Sequence, residues 1–168
     1  MSGFKVAQKV DENMKVRLTF EGAMDEHSDY TQIKNEDFTN EVVFDLEQVS
    51  HINSTGIKHW VKWIDKIQNE HPRIAFWFIN TPKAIIDQIN MVDGFLPGNS
   101  TVQSFKVPYY CEACEADKVY TFVLGREYQK TDAGYDLKMP DYSCDREDCE
   151  MEPDVVEQKY FRFLVNSK

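Results

Sequence analysis

No apolar run in this chain approaches the roughly 20 residues that a membrane-spanning helix needs. Its start, MSGFKVAQKV, has no apolar stretch of the kind a secretory signal carries. A cytoplasmic setting is therefore expected, in which thiols stay reduced unless a metal holds them. Positive charge is also scarce: 19 Lys and Arg stand against 29 Asp and Glu, for a net charge of -10. With no basic stripe to neutralise phosphates, nucleic acid is not an expected partner, and an anionic membrane surface is as poor a match. A basic protein partner fits the charge better. The sequence has neither a Gly-x-Ser-x-Gly elbow nor a Gly-rich phosphate loop. His51 and His59 lie near Ser54 in sequence, but one precedes a turn and the other flanks a helical stripe, so neither is aimed at the hydroxyl. Nothing here requires an enzyme. Cysteine is absent until residue 111, so whatever the thiols do belongs to the last third of the chain.

What is present centres on residues 41–67, EVVFDLEQVSHINSTGIKHWVKWIDKI. Val42, Val43, Phe44 and Leu46 make a short apolar run that reads as a buried strand. From Gly56 the period changes: Ile57, Trp60, Val61, Ile64 and Ile67 are three or four apart, one face of a helix. Between the two lies INSTG. Asn53, Ser54 and Thr55 can each accept from the unpaired amides of a first helical turn, and Gly56 lets another backbone come close. Such a helix start can hold negative charge. The plainer reading is that these polar residues only cap the helix.

Around this stretch, residues 4–10 and 14–21 read as strands joined by a hairpin turn at Asp11, Glu12 and Asn13, and Gly22 closes the second. A short helix is expected from about Ser28, with Tyr30 and Ile33 facing the core and Phe38 as a further anchor. Residues 73–80, RIAFWFIN, read as a central strand. Thr81 as cap and Pro82 in the first turn open another helix, carrying Ile85, Ile86, Ile89 and Val92. Residues 101–107 supply a last strand. Strands alternating with helices predict an α/β fold with a mixed sheet and the helices packed on one face. Residues 1–107 are expected to form this domain and residues 108–168 a second, smaller one. There KVYTFVLGREY reads as a strand turning near Gly125, and KYFRFLV, residues 159–165, as another short strand.

Cys111 and Cys114 form a C-x2-C pair, Cys144 and Cys149 a looser C-x4-C pair. Four thiolates at these spacings point to a tetrahedral zinc site, closed and therefore structural. The tail has few aliphatic residues, so a metal would supply folding energy that burial does not. An iron–sulfur cluster has the same ligand count, and redox use of the thiols is a further alternative. Trp60, Trp63 and Trp77 read as core or core-edge residues, with Trp63 off the main stripe. Trp63 and Phe95 are expected to join Ile57 and Lys58 in a partner-contact surface.

The stretch DLEQVSHINSTGI resembles the signature of the STAS domain, the fold of bacterial anti-sigma factor antagonists. Asp45-Leu46 ends the strand, and Asn53-Ser54-Thr55-Gly56 stands where the family has Asp-Ser-Ser/Thr-Gly. LTFEGAMDE, residues 18–26, resembles the family's strand-Gly-x-hydrophobic-Asp-Glu segment. The resemblance spans residues 14–107. It implies a non-enzymatic regulator that binds an anti-sigma factor or related kinase. Ser54 is implied as the phosphorylated switch, with Asp45, Asn53, Thr55 and Gly56 as its neighbours. The tail resembles a zinc ribbon. The runner-up is a constitutive scaffold in which Ser54 only caps, and a hydrolase is a more distant third.

Overall fold

The structure is a computed structural model and describes residues 3–144, 146 and 149–165. It opens with β1 (Lys5–Val10) and β2 (Val16–Met24), paired antiparallel. The turn between them is where the sequence puts it: Asp11 Oδ1 accepts from the amides of Asn13 and Lys15, and Met14 takes a positive φ of 59°. β3 (Glu41–Ile52), α1 (Ser54–Glu70), β4 (Ala75–Ile79), α2 (Lys83–Met91) and β5 (Ser100–Val102) follow. The sheet order is β1-β2-β3-β4-β5, with β2 to β5 parallel. Each parallel connection steps to the next strand in one direction. Right-handed crossovers taken in one direction leave the connections on one side of the sheet, and this is a mixed sheet with its helices packed on one face.

The core between the layers is aromatic. Trp60 and Ile64 of α1 are fully buried, and Trp60 meets Phe20, Phe44, Phe78 and Phe95 edge-on or stacked. Its indole N–H donates to the Phe95 carbonyl at 2.8 Å, which satisfies the one polar atom this side chain buries.

Residues 25–40 form no α-helix; one 3-10 turn, Asn35–Asp37, interrupts a run of turns. The side chains of Asp25 and Asp29 accept from the amides two residues on, at His27 and Thr31. Such local bonds compete with helix formation. Tyr30, Ile33 and Phe38 are buried even so. Thr81 is not the cap of α2: Pro82 takes that position, and Thr81 is fully buried, bridging to Phe105.

The strand expected over residues 101–107 is two strands. β5 stays in the first sheet, and β6 (Ser104–Cys111) enters a second one. Gln103 lies between them, its amide on the Phe78 carbonyl and its carbonyl on the Leu124 amide. The second sheet is antiparallel, ordered β10-β11-β6-β7, with β7 Ala116–Val123, β10 Tyr142–Ser143 and β11 Glu150–Pro153. A separate hairpin joins β8 (Tyr128–Thr131) to β9 (Gly134–Leu137).

Residues 159–165 are helical turns, α3 (Glu157–Tyr160) and α4 (Arg162–Val165), and not a strand. Tyr160, Phe161, Phe163 and Leu164 are all buried, which no alternating strand would achieve. The Asn90 side chain holds the junction between these turns, donating to the Tyr160 carbonyl and accepting from the Phe163 amide, both at 2.8 Å. The tail does have burial to draw on. Phe105, Tyr109, Phe122, Tyr128, Tyr160, Phe161 and Phe163 form an aromatic core contiguous with that of the first sheet. Buried aromatics contribute roughly 150–250 Å² each, which replaces the missing aliphatic area.

Candidate metal centre and helix start

The β6–β7 hairpin closes where Cys111 pairs with Ala116. Cys111 ends β6, and Cys114 sits in the turn after it. Cys144 directly follows β10 and Cys149 directly precedes β11. Because β11 pairs with β6 through Glu152 and Tyr110, the two hairpin ends meet. Their four Sγ atoms lie within 4.8 Å of one another. Cys114 is 3.1 Å from Cys149 and 3.7 Å from Cys144, and Cys111 is 3.3 Å from Cys144. A tetrahedral zinc with Zn–S bonds near 2.3 Å requires sulfurs about 3.8 Å apart. The donor set and spacing therefore fit a four-thiolate centre. Cys111, Cys144 and Cys149 are 1%, 8% and 8% exposed, so such a centre is closed and suited to structure.

The thiols disturb one another. The hydrogen bond from the Cys144 thiol, aided by the Cys114 and Ala113 amides, holds Cys111 below its ordinary value against the opposing effect of burial. Burial first, and then the Cys111 contact, pushes Cys144 up. Contacts with Cys114 and Cys144 push Cys149 up to about 12. Four sulfurs at this range cannot all ionise unless a cation offsets their repulsion. The turn also carries backbone strain: Glu115, next to Cys114, has a φ of 51°, a conformation glycine adopts at least cost.

In the first sheet's layer of helices, Asn53 caps α1. Its Oδ1 accepts from the Gly56 amide at 2.8 Å, and its Nδ2 donates to Glu26 at 3.0 Å. That bond is the main reason Glu26 sits below the usual carboxylate value. Ser54 is the first residue of the helix; it and Thr55 are exposed, and among the described residues neither side chain makes a hydrogen bond. Gly56 permits a close approach. A Cβ there would lie 1.9 Å from the Met24 carbonyl oxygen, and that same carbonyl accepts from the Asn53 amide at 3.1 Å. The helix start is thereby pinned to the end of β2.

Three expected members of this region lie elsewhere. Asp45 sits inside β3, where it binds Arg17 and accepts from Asn80 Nδ2 at 3.1 Å. At about 3.3 Å per strand residue, it is on the order of 20 Å from the start of α1. Trp63 is 6% exposed and stacks on Tyr30, with ring centroids 5.0 Å apart, while Phe95 is 1% exposed under Trp60. Both are core side chains and offer no area to a partner. Ile57 remains half-buried and Lys58 exposed on the first turns of α1. His51 is exposed and bonded to its neighbour Ser50 at 3.2 Å, with no hydrogen bond to Ser54. The sequence places Glu26 in the LTFEGAMDE segment but does not show its contact with the cap, which spans 27 residues of chain and which no local pattern encodes.

No protein family matches the chain, and no curated protein matches it. No helix among the described residues is long and apolar enough to cross a membrane.

Proposed function

We propose that this chain is a non-catalytic protein-binding regulator: a STAS-like body with a zinc-ribbon-like tail. Its docking face is centred on the first turns of α1, and Ser54 is its phosphorylation switch. The exposed Ser54 hydroxyl carries the reading. The neighbouring Asn53 has taken over the cap, so the serine is free for another role. The site lies where β3 passes into α1, at the carboxyl end of the parallel strands, the place where α/β sheets present their ligand sites. The strand order and the position of Asn53-Ser54-Thr55-Gly56 support the STAS likeness. A phosphate on Ser54 adds up to two charges beside unpaired amides and changes what the face presents to a partner such as an anti-sigma factor or its kinase. In the tail, four thiolates hold zinc and make the centre a structural one. The division into a body and a tail belongs to the same reading, with the boundary moved from residue 107 to Ser104, where β6 enters the second sheet, as does a reducing, cytoplasmic setting.

One observation favours the constitutive scaffold instead. The Glu26 carboxylate already stands against Asn53, where it would oppose a phosphate on the next residue. Pull-down with the unmodified protein, Ser54→Ala and Ser54→Asp separates the two readings. The switch requires capture to persist in Ser54→Ala and to fall at least tenfold in Ser54→Asp, with both variants folded. Equal capture by all three leaves Ser54 as a surface residue of a scaffold.

A further inference from the structure

We propose that the four cysteines are also a site of oxidation by hydroperoxides, and that it exchanges its metal for two disulfides running between the hairpins, Cys114–Cys149 and Cys111–Cys144. The inference rests on the metal-centre half of the function above and is independent of Ser54.

The two contacts, 3.1 Å and 3.3 Å, share no cysteine, and each joins one hairpin end to the other. Their partners are 35 and 33 residues apart in sequence. Both sulfur pairs therefore already lie side by side without any movement of the hairpins. Access selects the first step. Cys114 is the most exposed of the four, so an oxidant arriving from solvent meets it first. The Cys114 thiolate attacks a peroxide oxygen and becomes a sulfenic acid, and the leaving oxygen takes up a proton. The Cys149 thiolate then attacks that sulfur, forms the disulfide and expels hydroxide, which protonates to water. Two thiolates remain, too few for a closed tetrahedral centre, and Cys111 and Cys144 follow by the same chemistry. Overall, four thiolates holding a dication, two molecules of hydrogen peroxide and four protons give two disulfides, the free dication and four waters. Sulfur loses four electrons and peroxide gains four.

The consequence is specific to this pairing. Disulfides within each hairpin would release β11 from β6, whereas disulfides between the hairpins keep them clasped after the metal has gone. Oxidation then yields a metal-free tail that is still folded, and in a reducing compartment such bonds are transient and reversible.

The test uses the reduced, zinc-loaded full chain, its zinc content measured first, titrated with hydrogen peroxide. Released zinc is read with a chromogenic chelator, disulfides by mass spectrometry after alkylation and proteolysis, and backbone protection by hydrogen exchange. The zinc should leave with the first equivalent of peroxide, and about two should be consumed per zinc by the time both disulfides have formed. Peptides should be linked 114–149 and 111–144, and exchange in β6 and β11 should stay within threefold of the loaded chain. A reduced chain stripped of zinc should lose at least tenfold protection in β10 and β11. Links within the hairpins, sulfinic acids in place of disulfides, or protection that survives stripping would each overturn the proposal while leaving zinc binding intact. A chain that takes up no zinc at all overturns the metal centre as well.

Discussion

The body and the tail bury their side chains by different rules. In the body, the main elements have a dry face set by their own period: Val16, Leu18 and Phe20 alternate along β2, and Trp60, Ile64 and Ile67 recur along α1. The tail has two strands of eight residues, β6 and β7, but β8, β9 and β11 have four each and β10 has two. Its order comes from aromatic side chains meeting across elements, as when Phe105 packs against Phe122, Tyr128 and Phe163, and from the thiol cluster at its tip. The difference teaches where each region is vulnerable. The body should fail by backbone clash or cavity, the tail by loss of its clasp. The chain supplies separate reporters, since Trp60, Trp63 and Trp77 all precede residue 104 while seven of the eight tyrosines follow it.

The largest expected effect is removal of the clasp. Chelation, or Cys144→Ser, should weaken the tail's near-ultraviolet tyrosine signal and abolish the exchange protection of β10 and β11, while tryptophan emission changes little. Structural zinc contributes roughly 10 kcal/mol or more where no other core exists; here the aromatic core should leave β6 and β7 partly protected. The pH response of the two forms should be opposite. In the loaded chain, protons compete with metal for the thiolates, so zinc is lost as pH falls. In the stripped chain, Cys149 is raised from its ordinary value to about 12. Its neutral form is the one the fold favours. That contribution is complete below the unfolded thiol value and fades as pH rises from about 9 toward 12. Melting of loaded and stripped protein across pH 5 to 11 reads both slopes.

Next in size is Gly56→Ala, the same kind of break made in the body. The added carbon meets a backbone carbonyl and not a side chain that can swing away. Strand end and helix start must separate, at a cost of about 3 kcal/mol. Tryptophan emission and the melting midpoint should shift, with the zinc content unchanged. Asn90→Leu tests the seam between the regions. It leaves the Tyr160 carbonyl and the Phe163 amide without their partner, for about 2 kcal/mol. The loss should fall on α3 and α4 in hydrogen exchange and leave α1 as it was.

The same contrast explains what the sequence disclosed. β2, α1 and α2 were legible because one period runs through each, and β3 because Val42, Val43, Phe44 and Leu46 form one short apolar run. The thiol ligands were legible because cysteine is rare and its spacing is chemical. Residues 159–165 misled because KYFRFLV alternates aromatic with charged residues, yet Asn90 fixes it in helical turns. Residues 28–37 misled because side chains of Asp and Ser offer the backbone local bonds that apolar spacing does not register. Trp63 and Phe95 read as surface because their cover comes from distant chain, Tyr30 over one and Trp60 over the other. At the helix start the serine was visible, but its link through Asn53 to Glu26 was not.

The smallest effect is the sharpest comparison, because one backbone conformation occurs in both regions with different support. Glu115 in the tail has φ 51° and Asn80 in the body has φ 52°. The left-handed region costs an ordinary side chain about 1–2 kcal/mol, while glycine gives back roughly 0.4–1 kcal/mol through the freedom of the unfolded chain. At Glu115 no side-chain bond among the described residues offsets the strain, so Glu115→Gly should stabilise the tail, on the order of half a kcal/mol. At Asn80 the residue type already tolerates the conformation, its side chain donates to the buried Asp45 and its amide donates to Ser104 Oγ. Asn80→Gly should therefore destabilise the body by about 1 kcal/mol. Melting of the two variants, followed by tyrosine and tryptophan signals, should give shifts of opposite sign. Shifts of the same sign would mean that left-handed strain, and not the bonds built on it, governs both turns.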